Sequence, residues 1–296
     1  NATTLSGAEA FQLHDTYGFP IDLTLEMASE AGLEVDRAGF KKLMQEQKDR
    51  AKADARAKKG GAANTDAYRE LRAAGETPFL GYTDLQAESR VRGIVADGRV
   101  VASAKPGDVV EIVLEQTPFY AESGGQDADA GALVGTGLAL DVLDVQKPID
   151  GLIVHKVLVA EGEVTPGTTL LAQVDAAHRK AGAQSHSATH IVHAVLRTIL
   201  GPTAVQAGSY NKPGYLRFDF NSTQAMTKGM REELEGLSNA AIDAGYDVTA
   251  SQLPLAEAKA RGAMAMFGEK YPDIVRMVEM GGDFSRELCG GTHVGN

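Results

Sequence analysis

The sequence predicts an α+β chain in three parts: an N-terminal helical segment over residues 1–76, a small β-barrel over 77–178, and an α+β domain with an antiparallel sheet over 179–296. Three observations carry this division. Helical periodicity dominates the first part, short β-rich runs separated by turn dipeptides fill the second, and helices mix with strands in the third.

In the first part, residues 20–31 read as a short helix with Pro20 near its start and Gly32 just past its end. Phe40, Leu43, Met44 and Gln47 then follow the i, i+3, i+4, i+7 pattern of an amphipathic helix, with Asp36 as its cap. This helix opens a basic stretch over 41–59, in which Lys41, Lys42, Lys48, Arg50, Lys52, Arg56, Lys58 and Lys59 face only Glu46, Asp49 and Asp54. A solvated helical face and an RNA-facing one both fit that charge pattern. Gly60 and Gly61 end it.

From Pro78 the texture changes. Asp97 and Gly98 form a turn between two strand patterns in VRGIVADGRVVASA, Pro106–Gly107 leads into VVEIVL, and Pro166–Gly167 leads into TLLAQV. Repeated short strands with turn signals between them predict a small barrel. In the third part a long helix around residue 186 precedes a strand through LRFDF (216–220). A helix with Met230, Leu234, Leu237 and Ala241 on one face follows, then a strand at VTASQL, another helix, and paired strands leading to Cys289.

Composition sets bounds on function. With 296 residues, 43% hydrophobic and 23% charged, the chain can bury a sizeable core. No apolar run is long enough to span a bilayer and no signal peptide opens the sequence, so it reads as soluble, intracellular and cytoplasmic, with no membrane partner. A single cysteine excludes an internal disulfide framework. The start at Asn1 rather than Met reads as a piece of a longer protein. The net charge of -11 argues against indiscriminate nucleic-acid binding and leaves room for a local basic surface.

The chemistry concentrates in two short motifs, HSATH at 186–190 and CGGTH at 289–293. Together they offer three imidazoles and the only thiol, a tetrahedral nitrogen and sulfur set that suits Zn2+. Each motif spaces its candidates at i and i+4, which on a helix puts both side chains on one face. At about 100° per residue, His186, His190, His193 and Arg197 share one face of the first helix. Ala188, Ile191, Val192, Val195, Leu196 and Ile199 cover the other. Such a helix is expected to pack on a core with its apolar side and line a cleft with its histidines. Spacing alone does not choose among His186, His190 and His193.

HSATHIVHAVL (186–196), LRFDF, AMFGEKY (265–271), ELCGGTHV (287–294), TPFYAESGGQ (117–126) and LHDTYGFPIDLT (13–24) occur here in the order in which alanyl-tRNA synthetases carry them. The chain resembles that family along essentially its whole length. The resemblance implies the end of the tRNA-recognition domain followed by a zinc-binding editing domain, which hydrolyses serine and glycine wrongly esterified to tRNA(Ala). The implied partners are the acceptor end of tRNA(Ala) and the rest of the synthetase chain, which attaches alanine with ATP; this segment alone is not expected to do so. A free-standing editing protein and a zinc-stabilised tRNA-binding module are the alternatives.

By the same resemblance His186, His190, Cys289 and His293 are zinc ligands, and Thr189, Gln206 and Ser209 lie near the substrate. Thr117, Gly124, Gly125 and Gln126 form the barrel side of the cleft, with Gln126 offering amide hydrogen bonds to the bound acceptor end. Read without the family, Thr189 is equally a helix hydroxyl bonded back to the preceding turn, Gln206 and Ser209 are loop residues, and the glycine pair is a turn. The sequence departs from the family pattern at DADAG (127–131). The metal either holds only three ligands while acting, polarising water or the ester carbonyl, or orients the acceptor end and substrate amine while Thr189 and Gln206 position a water; no HExxH glutamate accompanies HSATH, which favours the second.

Overall fold

Ser6 and Glu9 begin the first helix by capping each other. The Ser6 backbone and hydroxyl donate to Glu9 Oε2 at 2.9 and 2.7 Å, and the Glu9 N–H donates to Ser6 Oγ at 3.2 Å, which satisfies amides a helix start leaves free. In this computed structural model the described residues are 4–17, 21–44, 65–222, 225–265 and 271–296. The chain divides into two compact units, Asn1–Asn64 and Thr65–Asn296.

In the first unit, β1 (Thr4–Leu5) and β2 (Glu34–Val35) pair in parallel, and α1 (Gly7–Tyr17) and α2 (Ile21–Glu30) lie between them in sequence. The expected helix with Gly32 behind it is α2. Helix α3 (residues 37–44) begins where Asp36 accepts from the Gly39 N–H at 2.9 Å, as the cap reading anticipated. Lys41 and Lys42 are exposed on it. Lys48, Arg50 and Lys52, with the rest of the basic stretch and its terminal glycines, lie outside the described residues.

The second unit opens with α4 (Asp66–Ala73), which packs Ala67 and Leu71 onto Val95, Val113, Leu152 and Val154. That helix, grouped in sequence with the first 76 residues, therefore belongs to the same compact unit as the barrel. The barrel strands are β3 (Gln86–Ala96), β5 (Val109–Leu114), β8 (Leu152–Glu161), β7 (Leu138–Ile149), β6 (Gly131–Gly135) and β9 (Thr169–Val174), with the short β4 (Arg99–Val101) beside β3. All pairings are antiparallel. Closure falls to β3: residues 86–90 pair with β9, a register shift follows at Val91/Gly93, and the rest pairs with β5. One strand thus serves two neighbours and no free edge remains in the ring. Alternation does the rest, since Ile94, Ile112, Leu133, Leu140, Val157 and Leu170 point inward and fill the interior.

Asp175 caps α5 (Ala176–Leu200) by accepting from the Ala177 and His178 amides at 2.9 and 3.0 Å. The hairpin β10 (Gln206–Lys212) and β11 (Tyr215–Phe220) follows. Next come α6 (Lys228–Asp243), β12 (Val248–Pro254), α7 (Leu255–Ala260), β13 (Ile274–Met280) and β14 (Ser285–Leu288). The last three strands form an antiparallel sheet in the order β12-β13-β14. Helix α5 packs against α6, β10, β11 and β14. Its expected apolar face is in fact the looser one: Val195 and Leu196 are buried, whereas Ala188, Ile191, Val192 and Ile199 are half-buried and the histidine face is buried. On α6, Met230, Leu234 and Ala241 turn inward with Ser238, while Leu237 is exposed. Among the described residues no helix is long and apolar enough to cross a membrane.

Arg179, one turn into α5, fastens the helix to the barrel. Its guanidinium meets the Asp129 carboxylate at 2.5 to 3.0 Å and donates to the Gly81 and Pro118 carbonyls, and Asp129 also accepts from the Tyr120 N–H at 2.7 Å. Asp129, within DADAG, thus supplies half of a buried ion pair. Removing one partner strands the other charge in the interior. Arg179→Met is expected to destabilise the second unit by about 3–5 kcal/mol in chemical denaturation, and Arg179→Met combined with Asp129→Leu to recover most of that loss.

Candidate metal centre and cavity

Helix α5 holds His186 and His190 one turn apart, with ring centroids separated by 5.3 Å. Against them lies the segment after β14. Cys289 and His293 are not on a helix: Gly290 and Gly291 turn the chain so that both side chains face α5. The i, i+4 spacing of CGGTH is therefore spanned by a loop, because the backbone must pass hard against α5. A Cβ on Gly291 would stand 2.1 Å from His186 Cε1. The loop carbonyls are held from outside, Gly290 O by the Tyr82 hydroxyl at 2.7 Å and Cys289 O and Gly291 O by Arg276 at 2.9 and 3.0 Å. Arg276 itself lies 4.1 Å over the Tyr82 ring.

The four candidate donors converge. Cys289 Sγ is 3.4 Å from His186 Nε2 and 3.3 Å from His293 Nε2, and one donor atom from each of the four residues lies within 4.8 Å of the others. Tetrahedral zinc with bonds of roughly 2.0–2.3 Å separates its ligands by about 3.5 Å, so the set needs little adjustment. The outer nitrogens are engaged elsewhere. His186 Nδ1 donates to Gln126 Oε1 at 2.8 Å, His293 Nδ1 shares a hydrogen bond with Ser187 Oγ at 3.1 Å, and His190 Nδ1 is 3.3 Å from Glu287 Oε2. With a metal bound and a proton at Nδ1, each ring would present its inner lone pair, the tautomer a metal requires.

Gln126 thus has a different task from the one expected of it. It is 2% exposed, its Oε1 accepts from His186 and from the Thr292 N–H at 2.9 Å, and its Nε2 donates to Thr292 Oγ1 at 2.8 Å. Its amide orients the donors and is not offered to a ligand. Gly124 and Gly125 form the two-residue turn of a hairpin closed between Ser123 and Gln126, both at positive φ. Gly125 also passes Ser209 so closely that a Cβ would lie 2.4 Å from its Oγ. Of these barrel residues Gly124 lines the cavity. Thr117 is fully buried behind it, 2.8 Å from His155 Nε2, while His155 donates from Nδ1 to Ile112 O at 3.0 Å. Thr117 therefore supports the barrel loop, and burial holds His155 neutral with a pKa down at about 4.

A cavity of about 690 Å³ opens beside the donors, lined among others by Thr189, His193, Gln206, Ser209, Phe218 and Glu287. Thr189 donates to Ser185 O at 2.9 Å and touches the Asn211 amide at 2.5 Å. The Asn211 atom it meets is Oδ1, likewise an acceptor, so one hydroxyl proton serves two oxygens and both lone pairs of Thr189 remain for another donor. Gln206 Nε2 donates to Ser209 Oγ at 3.0 Å across the start of β10, so both residues sit on a strand and not in a loop. Sequence reasoning missed Glu287, Arg276, Tyr82 and Ser187. Of these, Ser187 within HSATH and Glu287 within ELCGGTHV stood inside a motif.

Electrostatics couples the donors in the metal-free protein. Burial opposes charge on His190, but the Glu287 carboxylate beside it prevails and raises the imidazole to about 10. Burial likewise opposes the Cys289 thiolate, and hydrogen bonds from His186, His190 and His293 override it, so the thiol falls well below its usual range. A lowered thiol pKa stabilises the fold above the ordinary thiol range, and that contribution is lost as pH falls through the lowered value. Without metal, Cys289 should accordingly ionise well below an ordinary thiol. Ultraviolet difference spectra against Cys289→Ala are expected to show thiolate absorbance persisting below the pH range of an ordinary thiol; a normal thiol titration would refute this.

The described geometry can be set beside known proteins. A family model described as tRNA synthetases class II (A) matches residues 1–178, and one described as threonyl and alanyl tRNA synthetase second additional domain matches 275–296, the stretch containing β13, β14 and CGGTH. Alanine–tRNA ligase of Cutibacterium acnes is 60% identical over 291 residues, covering 98% of this chain and 32% of the relative. That of Paenarthrobacter aurescens is 59% identical over 99% of this chain and 33% of the relative, and that of Mycobacterium bovis 54% identical over 100% and 34%. The chain spans about a third of the length of the curated relatives it matches. On the family match over most of its length, and with alanine–tRNA ligases as its homologues, the chain belongs to the class II (A) tRNA synthetases.

Proposed function

We propose that this chain hydrolyses the ester linking serine, and also glycine, to tRNA(Ala), and that His186, His190, Cys289 and His293 hold Zn2+ for that purpose. The motive is physical. A pocket made for alanine rejects an isostere that merely adds a hydroxyl by only about 100-fold, so accuracy calls for a second, hydrolytic site. The observation that supports the reading most is the convergence of three imidazoles and a thiolate on one point beside a cavity that also contains Thr189, Gln206 and Ser209.

The donor set fits the metal, since the outer nitrogens of His186 and His293 are hydrogen-bonded, that of His190 faces the Glu287 carboxylate at 3.3 Å, and the inner atoms face one another. When bound, zinc supplies positive charge against which an amine or carbonyl oxygen can be oriented. Four protein donors describe a filled tetrahedron, which assigns the water to the protein. Thr189 has a free lone pair to accept a hydrogen bond from that water and so position it, and Gln206 retains its carbonyl oxygen as a second acceptor. Exposed Lys41 and Lys42 on α3 are suited to phosphates rather than to the reacting ester.

The test is hydrolysis of seryl-, glycyl- and alanyl-tRNA(Ala) with zinc analysis of the same samples. The protein should release serine and glycine and spare alanine, Cys289→Ala should lose zinc, and Gln206→Ala should keep zinc but slow hydrolysis at saturating tRNA about tenfold or more. Tight tRNA binding without hydrolysis would instead favour a zinc-stabilised binding module.

A further inference from the structure

His193 is a histidine on the donor face of α5 that stands outside the donor cluster. It is 4% exposed and lines the cavity. Its Nδ1 is 3.0 Å from Glu287 Oε1, while the other oxygen of the same carboxylate faces His190. A carboxylate accepts, so the Nδ1 proton is committed to Glu287. The opposite nitrogen, Nε2, is buried and has no hydrogen-bond partner.

The surroundings place this nitrogen where a substrate side chain would lie. His193 is one helical turn beyond Thr189, and its ring packs on Phe218 at 5.0 Å. Phe218 is the cross-strand partner of Ser209, and Phe220 that of Gln206. Thr189, His193, Gln206 and Ser209 thus border one space. A buried polar atom without a partner is costly and is relieved only by an occupant that can hydrogen-bond to it.

Resting on the hydrolytic reading above, we infer that His193 is a specificity-determining residue whose Nε2 receives the side-chain hydroxyl of the seryl group. A hydroxyl can donate to an unprotonated Nε2 and accept from a protonated one; the methyl of alanine and the hydrogen of glycine can do neither. The same atom that rewards serine therefore stays stranded when alanine enters, a penalty of about 5- to 150-fold. The contact favours the seryl ester over the alanyl and glycyl ones alike.

The experiment compares the zinc-loaded protein with His193→Leu and His193→Gln on seryl- and glycyl-tRNA(Ala), measures zinc in each sample, and measures binding of non-hydrolysable 3′-amide analogues of seryl- and glycyl-adenosine. In His193→Leu the seryl-to-glycyl ratio of kcat/KM and the matching ratio of analogue affinities should both fall about tenfold or more, with zinc retained. His193→Gln, which can donate and accept at its end, should keep both ratios within about threefold. Parallel losses on both substrates, unchanged ratios in His193→Leu, or loss of zinc in both variants would overturn the inference and leave His193 as a support for Glu287. A wild-type protein that hydrolyses neither ester would instead defeat the hydrolytic reading itself, a result distinguishable from all of these.

Discussion

One side-chain amide links three segments that are far apart in the chain. Gln126 leaves the barrel through the Ser-Gly-Gly turn, accepts from His186 on α5, and holds Thr292 between Cys289 and His293 at its other contacts. The neighbouring backbone is committed as well, because Asn211 N–H donates to Gly125 O at 2.6 Å and Asp127 N–H donates to Asn211 O at 2.9 Å. Barrel, helix and hairpin therefore meet at a single turn. Tightly packed polar groups of this kind leave few alternative arrangements, which is what a metal site assembled from distant segments needs.

Around that junction the protein balances buried charge in pairs. Asp129 answers Arg179 below the cavity, and Glu287 answers His190 and His193 at its wall. In the metal-free protein the thiolate of Cys289 is balanced by its imidazole neighbours; with a divalent cation bound, the same outer partners keep the rings oriented. Glu287 sits one shell behind the donors and cannot act as a base in the cavity while it holds two histidines, so the water-positioning groups reduce to neutral ones, Thr189 and Gln206. Ester cleavage of an aminoacyl bond is an undemanding reaction, and neutral positioning groups suffice for it when the site is preorganised.

Much of this was legible in the sequence because it depends on local rules. The barrel strands follow alternation and turn dipeptides, with Asp97 and Gly98 turning β3 into β4, and Gly32 and Asp36 mark a helix end and a helix start. His186 and His190 could be placed on one face from their spacing. The same spacing misled for Cys289 and His293, since an i, i+4 pair separated by glycines is joined by a turn. On α5 the histidines do line the cavity as amphipathicity suggested, but they are the more deeply buried face because a second segment closes over them, and no single-helix pattern reports a partner from 100 positions away. For the same reason Gln126 was read as a ligand-binding amide and Thr117 as a cleft residue, and Arg276, Tyr82 and Ser187 went unnoticed. Their roles exist only after the chain has folded.

The claim on which the rest turns is that three imidazoles and one thiolate bind a single metal ion. X-ray absorption at the zinc edge, recorded on the fully loaded protein, reads that composition directly. The account predicts a first shell of three nitrogens at about 2.0–2.1 Å and one sulfur at about 2.3 Å, with no oxygen ligand in the absence of substrate. A shell without sulfur, or one in which His193 replaces a cluster histidine and oxygen completes the sphere, would contradict it.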